Sequence, residues 1–476
     1  MAYAHYDRLT ALDVSFLRYE EQDPNVHMHV GVVALFERGA LAADEAGVDI
    51  GRIRRAVESS LGESPRFRQK LVRVPRFDLP VWVDDPCFNL EYHVRHTALP
   101  HPGSLRQLKR LAGRIFSQKL DRSKPLWEFW FVEGLEDGRF ALIAKAHHCL
   151  VDGISGFELL ARMMRLDPDP TIEAPKTWIP RPAPETRRLF VDEASRRGSL
   201  PFQIAAAGAR ALAEPQASAE RLRDAAGALY EAFSANLSPC SPTPLNVEIG
   251  PYRRFDWTRF DLAAAREIRG KLEGTVNDVV LCAVAGAVGR FLAQRGERIS
   301  QLEFRAMVPV SVRRSEERGS EGNRVVSLMA ELPIDEPDPR RRFARVAATT
   351  RGLKNSRQAR GVEIFEEISD KTSPELFVAV SRRTARQAYN LVVTNVPGPP
   401  ATVWFAGAKM QEIYPLVPIF VDNALGIALF SYDGGLYWGF NADWDALPDL
   451  HDFVDLIDAE FEALQKAAAL GPLPPE

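Results

Sequence analysis

The stretch AKAHHCLVDGISG, Ala144 to Gly156, sets two adjacent histidines, His147 and His148, ahead of Asp152 and Gly153 with three residues between. Upstream, WEFWFVEGLEDGRFALIAKAHH (Trp127 to His148) holds two runs rich in aromatic and aliphatic side chains around a Glu-Asp-Gly turn. That pattern predicts two antiparallel strands. Downstream, ISGFELLARMMRL places Phe157, Leu160 and Met164 at helical spacing. The histidines therefore close a strand, Asp152 and Gly153 sit in a short turn, and a helix follows.

Three chemistries compete for such a motif. A shared metal is not expected, because neighbours on a strand point to opposite faces and zinc pairs on a helix use i, i+4 spacing. Acid–base catalysis is the second. A neutral imidazole accepts a proton from a hydroxyl, an aspartate close by fixes its tautomer or holds the local backbone, and glycine permits a sharp turn. The third is a hydrogen-bonded strand end with no reaction at all. The residues alone leave the second and third open. A covalent intermediate is not expected: Ser155 in GISGF lacks the final glycine of a nucleophile elbow, and Cys149 reads as a small core residue. Neither a Walker A loop nor GxGxxG is present.

The chain has 476 residues, 46% hydrophobic and 26% charged, which fits a globular protein of about two domains. A net charge of −4 gives no reason to expect nucleic acid as a partner. The cysteines, Cys87, Cys149, Cys240 and Cys282, form no CxxC pair, so a disulfide framework and a thiolate metal site are both unexpected and a reducing cytoplasm is the default. MAYAHYDRLTALDVSF lacks the basic start and apolar run of a signal peptide. The apolar run Val279 to Gly289, flanked by Asp278 and Arg290, is too short to span a bilayer and predicts a buried helix.

Prolines divide the chain. Arg165 to Glu185 carries six of them, which predicts an extended connector. A helical stretch broken at Pro215 follows, with Leu222, Ala226, Leu229 and Phe233 on one face, and SPCSPTPLN (Ser238 to Asn246) closes it. The segments are 1–165, 166–245 and 246–476. In the first, Ser104 and Gln107 predict a capping box for a helix to Leu120. The last alternates strands (Phe304 to Val312, VVSLMAELP, YNLVVTNVPG, IALFSYDGGLYWGFNAD) with helices (Val276 to Gln294, Leu450 to Ala467). Mixed strands and helices in both outer segments argue for two α/β sandwiches.

HHxxxDG is the mark of the CoA-dependent acyltransferase superfamily. The surrounding PLWEFWFVEGLEDGRFALIAKAHHCLVDGISG resembles the bacterial wax ester synthase/diacylglycerol acyltransferase family, with Pro125, Leu126 and Trp127 as its PLW signature. LTALDVSFL, MHVG, DPCFNLEYHVR, LDRSKPLWE, PLNVEIGPYRRF, TVNDVVL, RAMVPVSVR, TNVPGP and SYDGGLYWGFNADWDALPD also resemble it, in the family's order from Leu9 to Asp449.

The resemblance implies two similar chloramphenicol-acetyltransferase-like domains with an active-site tunnel between them. It implies acyl-CoA as co-substrate, no resident cofactor or metal, and diacylglycerol or a fatty alcohol as acceptor. His148 would be the base, Asp152 a structural support, His147 secondary and Gly153 part of the turn. Asn277 and Asp278 match the family's Asn-Asp pair; the plain alternative is a helix start with Asn277 as N-cap and Asp278 on the dipole. Asn395 holds a turn or reaches the site, and Pro125 to Trp127 shape the tunnel wall. A lipid acceptor implies peripheral contact with the inner face of the cell membrane or with lipid inclusions. Leu222 to Phe233 and the basic stretch Arg66 to Arg76 are candidates for that contact, against the plain readings of a packed helix face and a solvated run. Arg66 to Arg76 could equally attract CoA phosphates.

Overall fold

A computed structural model describes residues 6–43, 47–150, 158–213, 215–237, 239–311, 325–355, 358–371, 378–379, 388–419 and 422–472. The strands in chain order are β1 (Asp7–Arg8), β2 (His29–Phe36), β3 (Gln69–Val74), β4 (Leu79–Asp84), β5 (Val94–Ala98), β6 (Trp127–Glu133), β7 (Phe140–His147), β8 (Met164–Arg165), β9 (Arg253–Asp261), β10 (Arg305–Ser311), β11 (Val325–Glu331), β12 (Leu391–Pro397), β13 (Trp404–Phe405), β14 (Ala408–Leu416), β15 (Leu425–Tyr432) and β16 (Gly435–Asp443). The main helices are α1 (Ala11–Gln22), α2 (Ile50–Leu61), α3 (Leu90–His93), α4 (Leu105–Phe116), α5 (Glu158–Met163), α6 (Thr186–Ala213), α7 (Pro215–Leu237), α8 (Leu262–Lys271), α9 (Val276–Gln294), α10 (Pro339–Asn355), α11 (Gln358–Lys371) and α12 (Leu450–Ala469).

Two mixed sheets carry the fold. The first runs β5-β6-β7-β2-β14-β13-β8 and the second β11-β10-β12-β15-β16-β9, while β1-β4-β3 forms a small third sheet. Each large sheet has its own apolar core. The α/β class and the two-sandwich architecture expected from the sequence are both present. The segment boundaries, however, do not follow the sheets. Residues 404–416 leave the C-terminal segment and complete the first sheet, β14 pairing antiparallel with β2 from Met410↔Phe36 to Leu416↔Gly31. That crossing cannot be read from local pattern, because strand partners are chosen by non-local pairing.

The predicted elements near the motif form as their residues dictate. Ser104 caps α4 in a full capping box with Gln107, as expected. β6 and β7 pair antiparallel around a turn in which Gly138 takes φ +75°. Pro215 begins α7 directly after α6 ends. The helix after the motif is shorter than its apolar spacing suggests: α5 stops at Met163, and Met164–Arg165 turns into an edge strand on β13. The apolar run from Val279 is the centre of α9, whose Val279 to Val288 are buried. α9 is long and apolar enough to cross a membrane by composition, but its surface is spent on α10, α12 and the second sheet.

β16 is buried along its whole length because it lies between two layers. Leu436, Trp438, Phe440 and Ala442 face the helices of the second core. The alternate side faces β14: Tyr437 Oη donates to the Gln411 carbonyl at 3.0 Å and Asn441 Nδ2 to that of Val417 at 2.9 Å. Gly439 is the point of closest approach, where a Cβ would stand 1.8 Å from the Pro415 carbonyl oxygen. We expect Gly439→Ala to force the two sheets apart and to cost about 1–3 kcal/mol. Urea unfolding should show a lower midpoint at unchanged slope; an unchanged midpoint would contradict the close packing.

Candidate active site

β7 ends at His147, and His148 opens a short 3-10 turn to Leu150. The two histidines thus part because one is the last strand residue and the other the first turn residue, and not by strand alternation. Asp152 and Gly153 fall outside the described residues, so their expected roles rest on the motif alone. The His147 amide donates to the Leu126 carbonyl at 2.9 Å, and the His148 amide to that of Met28 at 2.7 Å. The turn is therefore bolted to β6 on one side and to the lead-in of β2 on the other.

The His148 ring is covered by Phe16 of α1, with centroids 4.2 Å apart. The residue keeps partial solvent contact, while its Nδ1 is sealed and has no hydrogen-bond partner among the described residues. Protein around the ring desolvates it and lowers its pKa to about 4, and neighbouring His147 acts in the same direction. At neutral pH the imidazole is uncharged and can accept a proton.

His147 faces a buried cluster. Its Nδ1 accepts the Cys149 amide at 3.1 Å, so the neutral ring carries its proton on Nε2. That nitrogen stands 3.4 Å from Glu20 Oε1 without hydrogen-bond geometry. Glu20 is 6% exposed. Its Oε1 accepts the Met28 amide at 2.7 Å and its Oε2 accepts from Arg122 at 2.9 Å. Burial raises its pKa, but His147, His29 and Arg122 outweigh that and hold the carboxyl well below the usual range. His29 lies opposite His147 in the β2–β7 ladder, with ring centroids 6.1 Å apart. Burial pushes the His29 pKa well below its ordinary value and that of His27 down to about 4. Sequence reasoning missed Glu20, Arg122, His27 and His29. The available signals were the alternating histidines of VHMHV and a glutamate four residues after Phe16 on an apolar helix face.

Pro125, Leu126 and Trp127 are buried side chains at the start of β6. Trp127 Nε1 donates to the Phe67 carbonyl at 2.7 Å, and its ring stacks on His93 at 4.6 Å. They build the strand end that holds His147; the cavity of the first domain is lined by other residues. That cavity has about 340 Å³ of empty space, part of it open to solvent. Val30, Val32, Phe129, Ala144 and Ala146 form its floor, and Leu159 and Leu160 of α5 its far wall. It lies on the face of β7 opposite His147, and Phe67 and Phe129, both against Trp127, complete it.

The remaining candidates lie on the second domain. Asn277 does not cap α9: Thr275 does, in a capping box with Asp278. Asp278 Oδ2 accepts the Thr275 amide at 2.7 Å and hydroxyl at 2.8 Å, and its Oδ1 accepts the Thr350 hydroxyl at 2.7 Å. One oxygen is thus spent on the cap of α9 and the other on joining α9 to α10. Asn277 is half-buried beside it. Asn395 is a half-buried residue of β12, opposite Leu429 of β15, and sits within the strand and not in a turn. Among the described residues no hydrogen bond joins Asn277, Asp278 or Asn395 to the histidines. Burial raises the Cys149 thiol pKa well above its usual value, which suits a core residue and not a nucleophile. Much of the basic stretch is paired within the protein, Arg66 with Asp7, Arg68 buried over Phe88 and Trp178, and Arg73 with Glu21 and Asp78, while Arg76 is exposed. No group of three or more metal-ligating side chains occurs among the described residues.

Comparison with known proteins matches this arrangement. The model of the wax ester synthase/diacylglycerol acyltransferase catalytic domain matches residues 9–280, and that of the family's C-terminal domain matches residues 321–465. A probable diacylglycerol O-acyltransferase of Mycobacterium tuberculosis is 33% identical over 448 residues, covering 93% of this chain and 92% of that one. The O-acyltransferase WSD of Acinetobacter baylyi is 30% identical over 470 residues, 97% of each chain. The solved wax ester synthase/diacylglycerol acyltransferase of Marinobacter aquaeolei VT8 superposes with a TM-score of 0.66 at 26% identity, covering 97% of this chain and 100% of that one. The first condensation domain of the calcium-dependent antibiotic synthetase, at 17% identity and a TM-score of 0.62, shares the fold. The chain belongs to the wax ester synthase/diacylglycerol acyltransferase family.

Proposed function

We propose that this acyltransferase moves a fatty acyl group from acyl-CoA to the hydroxyl of diacylglycerol or a long-chain alcohol, with His148 as general base. The observation that carries the assignment is an imidazole at the motif turn that is neutral at physiological pH, covered by the tilted ring of Phe16 and fixed through its own amide. His148 takes the proton of the acceptor hydroxyl, and the oxygen attacks the thioester carbonyl. The tetrahedral oxyanion collapses, the C–S bond breaks, and the CoA thiolate recovers the proton from His148. No covalent enzyme intermediate is required.

General-base assistance is worth about 10²–10⁴-fold. His148→Ala should lose that much transfer of labelled palmitoyl groups from palmitoyl-CoA to hexadecanol or diacylglycerol while its circular dichroism stays native. A folded, fully active variant would reject the assignment. Because the base must be neutral and its pKa is lowered to about 4, activity falls only as pH drops through that value. A histidine of ordinary pKa would already be half protonated at about pH 6.5. The pH profile of kcat/KM should therefore show no histidine limb between about pH 8 and pH 5.5; a limb near 6.5 would contradict the environment described above.

The apolar cavity under α5 suits an aliphatic chain lying against Ala144 and Ala146. Filling it should act as a ruler. Ala146→Phe is expected to lower the preference for palmitoyl-CoA over hexanoyl-CoA by about 10-fold or more, with hexanoyl transfer retained. An unchanged chain-length profile would remove the cavity from the acyl path; a shift confined to acceptor chain length would reassign it to the alcohol.

Contact with a lipid surface is proposed through the connector helices. Of the stripe Leu222, Ala226, Leu229 and Phe233, Leu222 and Ala226 are exposed and Leu229 is half-buried, while the Phe233 side chain falls outside the described residues. The Ala228 side of α7 lies on α11, where a Cβ at Gly361 would stand 2.1 Å from the Ala228 carbonyl, and Leu222 and Tyr230 are 72% and 74% exposed. Phe202 of α6 is 76% exposed. Side chains of this kind enter a bilayer interface. The triple variant Phe202→Glu, Leu222→Glu, Tyr230→Glu should sediment less with phosphatidylglycerol vesicles at unchanged activity on short soluble alcohols. Undiminished sedimentation would exclude this face.

A further inference from the structure

We propose that Glu20, acting with Phe16 one turn earlier on α1, is a positioning residue for the transfer reaction; the role rests on His148 being the base. Phe16 and Glu20 stand at i and i+4, on one face of α1. Phe16 covers the His148 ring. Glu20 reaches the same residue by two routes. Its Oε1 accepts the Met28 amide, and the Met28 carbonyl in turn accepts the His148 amide at 2.7 Å. The same oxygen faces Nε2 of His147, whose Nδ1 accepts the Cys149 amide on the far side of His148. The residues before and after the base in the turn are thus both referred to one carboxylate.

The carboxylate is itself immobilised. A buried charge needs partners, and Arg122 supplies one by donating to Oε2 and to the Leu17 carbonyl, each at 2.9 Å. With Oε2 taken, Oε1 is left for the Met28 and histidine side. The charge also selects the tautomer. A proton on Nε2 of His147 meets an anion, whereas a proton on Nδ1 would meet the Cys149 amide head on. Loss of Glu20 releases this choice, and with it the backbone angle at which the His148 imidazole is presented. A glutamine cannot replace it, since its amide nitrogen must face either Arg122 or Met28, two donors.

Glu20→Gln and Glu20→Ala in the full chain should keep the acyl-CoA KM within about threefold while kcat falls about 10–100-fold, as expected when a group that orients a functional histidine is lost. Nitrogen-15 spectra of the imidazoles should change from a single Nε2–H tautomer at His147 to a mixture. The double variant Glu20→Ala, His148→Ala should be no slower than His148→Ala alone, because a positioning group has nothing left to position. If Glu20→Ala does not fold, Glu20→Gln, which keeps the volume, carries the test through kcat, the tautomer spectrum and its own pairing with His148→Ala. A folded Glu20→Gln enzyme with native kcat, or a loss that multiplies with that of His148→Ala, would overturn the role. An active His148→Ala enzyme would instead overturn the base assignment and this role with it. An inactive His148→Ala beside a fully active Glu20→Gln sinks the positioning role alone.

Discussion

The pairing of β14 with β2 is the constraint on which the molecule depends. β2 is held on one side by β7, in a register that sets His29 opposite His147, and on the other by a strand from the far end of the chain. β14 also lies against β15 and β16 of the second sheet. One strand therefore fixes the first sheet internally and sets it against the second. Gly439 permits the contact, because a side chain there would collide with the Pro415 backbone. The end of β7, and hence the turn that begins at His148, inherits its position from this junction.

Around that turn the protein keeps ionisable groups in a dry interior, which is costly unless each charge is paired. Glu20 is paired with Arg122 and an amide. Lys145, on the same face of β7 as His147, donates to the Ile115 and Gln118 carbonyls at 3.1 and 3.0 Å. His29 and His148 are kept neutral by the same desolvation. A neutral imidazole at His148 suits the proton abstraction proposed for it, where a solvated histidine would be partly protonated already. The opposite face of β7 is apolar, with the small Ala144 and Ala146 over the cavity. One strand thus separates the polar cluster around His147 from a surface suited to a hydrocarbon chain, and strand alternation alone brings this about.

The structure also redistributes roles among the recognised motifs. The Trp127 indole is a packing element locked to the Phe67 carbonyl and His93. Asp278 joins two helices. Motif residues of this kind set backbone geometry, and the reacting groups are presented by the geometry they set.

Much of this was legible in the sequence. The capping box at Ser104, the break at Pro215, the β6–β7 hairpin and the buried helix α9 are local events, settled by side-chain pattern and turn chemistry within a few residues. HHxxxDG and the ordered stretches from Leu9 to Asp449 identified the family, and with it the reaction class. What the sequence could not show is long-range. Strand β14 reads as one more C-terminal strand until it is found in the N-terminal sheet. Glu20 reads as one of three acidic residues near the end of α1 until burial leaves it with Arg122, Met28 and His147 as its partners. On α7 the residue at Leu222 is exposed, and it is the Ala228 side that meets Gly361. Local propensity depends on neighbours in the chain, and each of these three outcomes needs at least one neighbour brought from about 100 residues away or more, which only the folded packing of sheets and helices decides.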